Sequence, residues 1–130
     1  MTISPRNPFY VIVWEFHVRD GMQPEFESIY GPEGDWARLF RRGEGYLGTE
    51  FAGDIKQPGR YLTIDFWESP TAYEKFRQAH AREYQALDKK CETLTEKELS
   101  HGSFQTRGTS NLRFSLKTGI LGSLPPRPLS

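Results

Sequence analysis

Residues 60–70 read Arg-Tyr-Leu-Thr-Ile-Asp-Phe-Trp-Glu-Ser-Pro (RYLTIDFWESP). The first eight are dominated by branched and aromatic side chains, the composition of a strand. With a period of two, Leu62, Ile64 and Phe66 take one face, and Tyr61, Thr63, Asp65 and Trp67 take the other. Ser69 and Pro70 then open a helix, serine as N-cap and proline at the first position. That helix is expected to reach about Lys90, with a break near His80. Upstream, Gly45 to Gly53 (GYLGTEFAG) is a second strand, joined to the first by a connector, Asp54 to Gly59, of hairpin length.

Further out, Phe9 to Val18 (FYVIVWEFHV) is another strand, apolar on both faces as far as Glu15. A turn at Arg19-Asp20-Gly21 leads into a helix over Met22 to Tyr30, where Met22, Phe26 and Ile29 recur at helical spacing and Pro24 suits the first turn. Gly31-Pro32 ends it. Asp35 is expected to cap a short helix carrying Trp36, Leu39 and Phe40 on one face. At the far end, Thr95 to Phe104 is a weaker fourth strand. The order strand, helix, strand, strand, helix, strand is the split βαβ, or ferredoxin-like, pattern: an α+β domain with a four-stranded antiparallel sheet. It is expected to occupy residues 1–105. Residues 106–130, rich in Gly, Ser and Pro, are expected to form a basic tail or an arm on a partner subunit.

In this fold both helices cover one face of the sheet, so a monomer would need a polar outer face. Strand one instead offers Tyr10, Ile12, Trp14 and Phe16 on one side and Val11 and Val13 on the other. Strand three is apolar on both sides as well. An uncovered apolar face of that size calls for a partner. Two sheets packed face to face give a dimeric α/β barrel, and a homodimer is expected.

The chain has 130 residues, 17 Lys+Arg against 17 Asp+Glu, 36% hydrophobic and 14% aromatic residues. A disordered chain would lack the aromatics. Residues 106–130 hold Arg107, Arg113, Lys117 and Arg127 and no acid, leaving a slightly acidic body without the basic patch that nucleic acid requires. The longest strongly apolar run, Phe9 to Trp14, is too short to span a membrane. Residues 1–8 have no secretory apolar region, and the single cysteine, Cys91, supports no disulfide framework. A cytoplasmic setting is expected. His17, His80 and His101 fall on three different elements, so no metal site is expected.

Three features bear on chemistry. Gly43-Glu44-Gly45-Tyr46-Leu47-Gly48 matches GxGxxG, but a helix precedes it and a strand follows, the reverse of a dinucleotide site. These glycines are expected to cap the helix and loosen the strand entry, and no cofactor is expected. The long helix carries Tyr73, Phe76, His80, Tyr84 and Leu87 on one face, either as core or as a pocket wall, since Tyr and His bring polar atoms. Asp65, mid-strand among apolar neighbours, is either paired, with an arginine for instance, or a general base. Glu15 and His17 share a face of strand one and are expected to form a rim ion pair.

Trp67-Glu68-Ser69, then Tyr73, then His80 and Tyr84, with Val18-Arg19-Asp20-Gly21 before Phe26 and Gly45-Tyr46-Leu47-Gly48-Thr49 in strand two, resembles the antibiotic-biosynthesis monooxygenase (ABM) superfamily of dimeric α/β barrels. The resemblance covers roughly residues 9–104. It implies a cofactor-independent monooxygenase acting with O₂ on a small aromatic substrate, an anthrone or quinol. Trp67 and Tyr73 match a pocket pair of the anthrone-oxidising branch, and Thr63 stands where that branch has Asn. The quinol-oxidising branch is similar through Trp67-Glu68-Ser69 and the His80/Tyr84 pair. Phe76 and Tyr84 stand where the haem-degrading branch needs Trp and His, so haem degradation is not implied. The roles that follow are His80 or Asp65 as base, with Tyr73 beside the reaction. Trp67, Phe76 and Thr63 would be pocket wall and Tyr84 a hydrogen-bond partner. The alternative is a non-catalytic ligand-binding or stress-response module of the same fold.

Overall fold

The structure, a computed structural model, describes residues 8–108. Its elements are β1 (Tyr10–Val18), α1 (Gln23–Tyr30), α2 (Asp35–Phe40), β2 (Tyr46–Gly53), β3 (Arg60–Trp67), α3 (Pro70–Ala79), α4 (Ala81–Cys91) and β4 (Thr95–Gln105). All strand pairs are antiparallel and the sheet order is β2-β3-β1-β4. This is the ferredoxin-like α+β fold. The tail proposed for residues 106–130 lies mostly outside the described residues. Its first residue, Thr106, pairs back to Phe9 through the Phe9 N–H to Thr106 Oγ1 (2.8 Å) and the Thr106 N–H to the Phe9 carbonyl (3.1 Å).

The alternation along β3 decides what each face does. Tyr61, Thr63, Asp65 and Trp67 are all buried under the helices, while Leu62, Ile64 and Phe66 are half-buried on the outer face. The β1–β3 register sets Trp67 opposite Tyr10, Asp65 opposite Ile12, Thr63 opposite Trp14 and Tyr61 opposite Phe16. Above this row the core has two aromatic clusters, joined through Trp36 and Phe40. Phe26 anchors one, its ring centroid 4.1 Å from Tyr30, 4.9 Å from Tyr61 and 5.3 Å from Phe16. Trp67 anchors the other, 5.2 Å from Tyr46 and from Phe76 and 5.3 Å from Tyr73. Phe26 and Tyr30 are stacked and the other pairs tilted or edge-on, arrangements favourable beyond the area they bury.

Helix starts follow their local chemistry. Ser69 accepts a hydrogen bond from the Ala72 N–H (3.0 Å), with Pro70 in the first turn of α3. At α2 the cap is Gly34; Asp35 is the first helical residue, and its carboxylate turns to Arg38 (3.1 Å) and Lys90 (3.6 Å). The long helix does break at His80, which ends α3 and precedes α4. On the outer face Glu15 is buried beneath Arg60 (2.7 Å), His17 (2.7 Å) and His101 (2.8 Å). His101 reaches it because β4 carries an extra residue where its register against β1 shifts, between Val13 and Trp14.

Ser69→Ala removes a cap with no other partner in the first turn of α3. It is expected to lower stability by about 1 kcal/mol, read as an unchanged slope and a lower midpoint in urea denaturation.

Candidate functional site

Between the two aromatic clusters the helices stand off the sheet and leave a cavity of about 340 Å³. Its floor is Ile12, Trp14, Thr63 and Asp65 on β1 and β3, with Thr49 from β2. Tyr30, Trp36 and Phe40 close it from α1 and α2, and Tyr73, Arg77, Tyr84 and Asp88 from α3 and α4. The size and the mixture of rings with a few polar groups are those of a small-molecule site.

Asp65 is the buried acid of this floor, 7% exposed. Among the described residues no arginine pairs with it. Its one hydrogen bond among the described residues is accepted by Oδ1 from the Thr49 hydroxyl (2.7 Å). Burial pushes its carboxyl up to about 7, against the lowering effect of Thr49. A carboxyl that changes charge near neutral pH can take a proton from a weak acid and hold it.

The other polar groups include the acids Asp88 and Glu98 and a set of donors. Arg77 Nη1 donates to the Tyr73 hydroxyl (3.0 Å), and its guanidinium lies 3.8 Å from the centroid of the Tyr84 ring. Among the described residues it forms no ion pair with a carboxylate. Burial pushes the phenols of Tyr30 and Tyr84 up, and that of Tyr46 up to about 12, so all three keep their protons at neutral pH. A charged oxygen forming in the cavity would meet the phenols of Tyr30 and Tyr84, which line it, and the Arg77 cation.

The sequence-derived candidates fall into two groups. Thr63, Asp65, Tyr73 and Tyr84 line the cavity. Trp67, Phe76 and His80 do not. Trp67 is fully buried behind Tyr73 and Phe40, with its Nε1 unpartnered, and Phe76 packs against it. His80 sits at the α3–α4 joint with its ring 5.3 Å from Phe76 and its Nδ1 buried without a partner. Sequence reading missed Arg77 and Thr49. Arg77 is one helical turn after Tyr73 and could have been found by spacing. Thr49 depends on an irregularity in β2 that no periodicity announces. Among the described residues no group of three or more His, Cys, Asp or Glu could hold a metal ion, and no helix is long and apolar enough to cross a membrane.

Residues 9–87 match the family model described as antibiotic biosynthesis monooxygenase. No curated protein sequence matches the chain. Among solved structures, SnoaB, a cofactor-independent oxygenase from Streptomyces nogalater, superposes with a TM-score of 0.66 at 19% identity, over 80% of this chain and 98% of its own. A protein of the same family description from Bordetella bronchiseptica gives a TM-score of 0.58 at 24% identity, over 75% and 96%. A Pseudomonas aeruginosa protein gives 0.55 at 13%, over 83% and 100%. At these identities the likeness is one of fold.

Asp65 makes a pH prediction with a definite sign. Its folded pKa of about 7 lies above the value near ~3.9 of an unfolded chain. From about pH 4 to 7 the folded state keeps a proton that the unfolded state has lost, so this group's contribution falls as pH rises. Urea denaturation across that range is expected to show wild type losing on the order of 4 kcal/mol more than Asp65→Asn, which has no proton to release.

Proposed function

The chain belongs to the antibiotic biosynthesis monooxygenase family, and we propose on that footing that it is a cofactor-independent monooxygenase of a small, electron-rich aromatic substrate, an anthrone or hydroquinone. The observation that carries this reading is Asp65, a carboxyl poised near neutrality on the floor of an aromatic cavity. SnoaB, whose fold the chain shares, is a cofactor-independent oxygenase.

The chemistry needs little from the protein beyond these groups. Asp65 takes the acidic proton of the substrate and leaves a delocalised anion. That anion reduces O₂ by one electron, and the radical pair joins in a carbon–oxygen bond. Loss of water from the resulting hydroperoxide leaves a carbonyl on the ring. For an anthrone methylene, one O₂ thus becomes one carbonyl oxygen and one water. Asp65 gives back its proton to the peroxide anion formed when the radical pair joins, which makes the hydroperoxide that then loses water. Arg77, with the side chains of Tyr73 and Tyr84 beside it, stabilises the charged oxygen of the anion. Trp67 and Phe76 back the wall that Tyr73 presents. Thr63 borders the same space with a hydroxyl. His80 is the other base expected from the sequence; Asp65 lines the cavity and His80 does not, which puts Asp65 ahead of it.

The assembly proposed with this activity is a homodimer closed by the outer sheet face. There Val11 and Val13 pair with Phe66 and Ile64, and Phe104, opposite Val11, is 54% exposed. A second copy of this face is the partner that fits, because its apolar end, Val11, Val13, Ile64, Phe66 and Phe104, would be covered by the same patch of another copy.

Oxygen consumption on a panel of anthrones and hydroquinones is expected to exceed the spontaneous rate. Asp65→Asn should lower it ~10²–10⁴-fold, while His80→Ala should leave most of it. Substrate-quenched tryptophan fluorescence without oxygen uptake would instead mark a binding module. Light scattering is expected to give twice the 15.0 kDa chain mass at micromolar concentration; a stable monomer would remove the dimer.

A further inference from the structure

Strand β2 contains a fault in its pairing. Tyr46 is opposite Trp67, yet Gly48 is opposite Phe66 and Thr49 opposite Asp65. One extra residue, Leu47, has been inserted. In an unbroken strand residues 46 and 49 would point to opposite faces; across this bulge both point to the helix side. The glycines of the Gly43–Gly48 segment are there to allow it. Gly48 takes φ +145°, and Gly45, at φ +92°, lies where a Cβ would come within 2.7 Å of the Ala72 Cβ on α3. The result is a chain of hydroxyls: Tyr46 to Thr49 at 2.6 Å and Thr49 to Asp65 Oδ1 at 2.7 Å.

The direction of this chain is fixed by proton count. An ionised Asp65 can only accept, so Thr49 spends its one proton on Oδ1, and Tyr46 must donate to the Thr49 oxygen. We propose that Tyr46 and Thr49 are positioning residues for Asp65, holding Oδ1 in a fixed donor chain so that Oδ2 is the oxygen that takes the substrate's proton. This rests on the reading of Asp65 as the base. Each donated hydrogen bond strengthens the next, so the pair favours the charged carboxyl and opposes the effect of burial. When Asp65 is protonated, its proton belongs on Oδ2, because Oδ1 is already an acceptor. The charged and titratable groups that face the same cavity are Tyr30, Tyr73, Arg77, Tyr84, Asp88 and Glu98. None of them hydrogen-bonds to the Asp65 carboxyl; α2 offers it only Trp36, Ala37 and Phe40. The hydroxyl chain is therefore the contact that sets its orientation.

The test is a carbon-13 NMR titration of the side-chain carboxyl of Asp65 in the full-length protein without substrate, assigned with Asp65→Asn. Thr49→Val keeps the shape and removes the donor, and is expected to raise the titration midpoint by about one to two pH units. Tyr46→Phe, which deletes only the outer hydroxyl, should raise it by about half a unit. Thr49→Ser should restore the wild-type midpoint. Where oxygen uptake is measurable, Thr49→Val should slow it about tenfold at pH 7 and recover at higher pH. An unmoved midpoint in Thr49→Val, or in Tyr46→Phe should the valine variant not fold, overturns the proposal, as does a serine variant that behaves like valine. A shifted midpoint in a protein that consumes no oxygen upholds the positioning role and overturns the monooxygenase reading instead.

Discussion

A carboxyl group shut in among rings, with one hydroxyl to hold it, is the constraint on which this molecule turns. Removing a carboxylate from water is costly, and proteins usually respond by pairing it or neutralising it. Among the described residues Asp65 is given no cation. It is given Thr49, whose donated bond offsets only part of the burial, and its proton affinity settles near neutrality as a consequence. Arg77, a cation that lines the cavity, is engaged elsewhere, on the hydroxyl of Tyr73 and the face of Tyr84. Base and cation are thus kept apart inside one cavity. Had they met, the acid would have been held ionised and too weak a base to act at neutral pH.

The aromatic residues explain why the space between those groups stays open. The rings pack densely at both ends, Phe26 with Phe16, Tyr30 and Tyr61 at one and Trp67 with Tyr46, Tyr73 and Phe76 at the other, and Trp36 and Phe40 join the two. Rigid rings that already satisfy one another do not collapse into the gap as flexible aliphatic chains would. The cavity is what remains when two stiff packing units share one sheet.

The sequence carried the fold in its plainest signals. Alternation in residues 60–67, the Ser69-Pro70 start and the branched run from Phe9 to Val18 are local, and local propensity agrees with the tertiary result at each. Asp65 was visible for the same reason, a charge in the middle of a buried face. Thr49 was not, because its direction depends on a bulge that exists only in the register with β3. Tyr46-Leu47-Gly48-Thr49 looks like regular alternation until the partner strand is laid beside it. His101 was hidden in the same way, by the irregularity in β4. The capping of α2 shows a weaker form of the same limit: Asp35 is a good cap by type, but Gly34 occupies the position and Asp35 answers to Arg38 and Lys90 instead. Arg77 was legible in principle, one turn from Tyr73, and was passed over because a cation on a helix is ordinarily a solvated one.

Glu15 and Asp65 show how one sheet makes two opposite carboxyls. Both are buried on central strands, 5% and 7% exposed. Glu15 faces outward and is met by Arg60, His17 and His101; these hydrogen bonds, that of Arg60 foremost, hold its carboxyl down at about 2. Asp65 faces inward and is met by a hydroxyl and rings. The difference is not in the residues but in which side of the pleat they take, and the period of two makes that a matter of odd or even position along a strand. Folding therefore binds Glu15 as an anion and Asp65 as an acid. The outer face loses its central ion pairs as pH falls from about 4 to 2, and the inner face comes to hold an unpaired charge as pH rises past about 7. The fold is at ease in the window between. At its upper edge, where Asp65 first gives up its proton, the cavity has a base ready to take another.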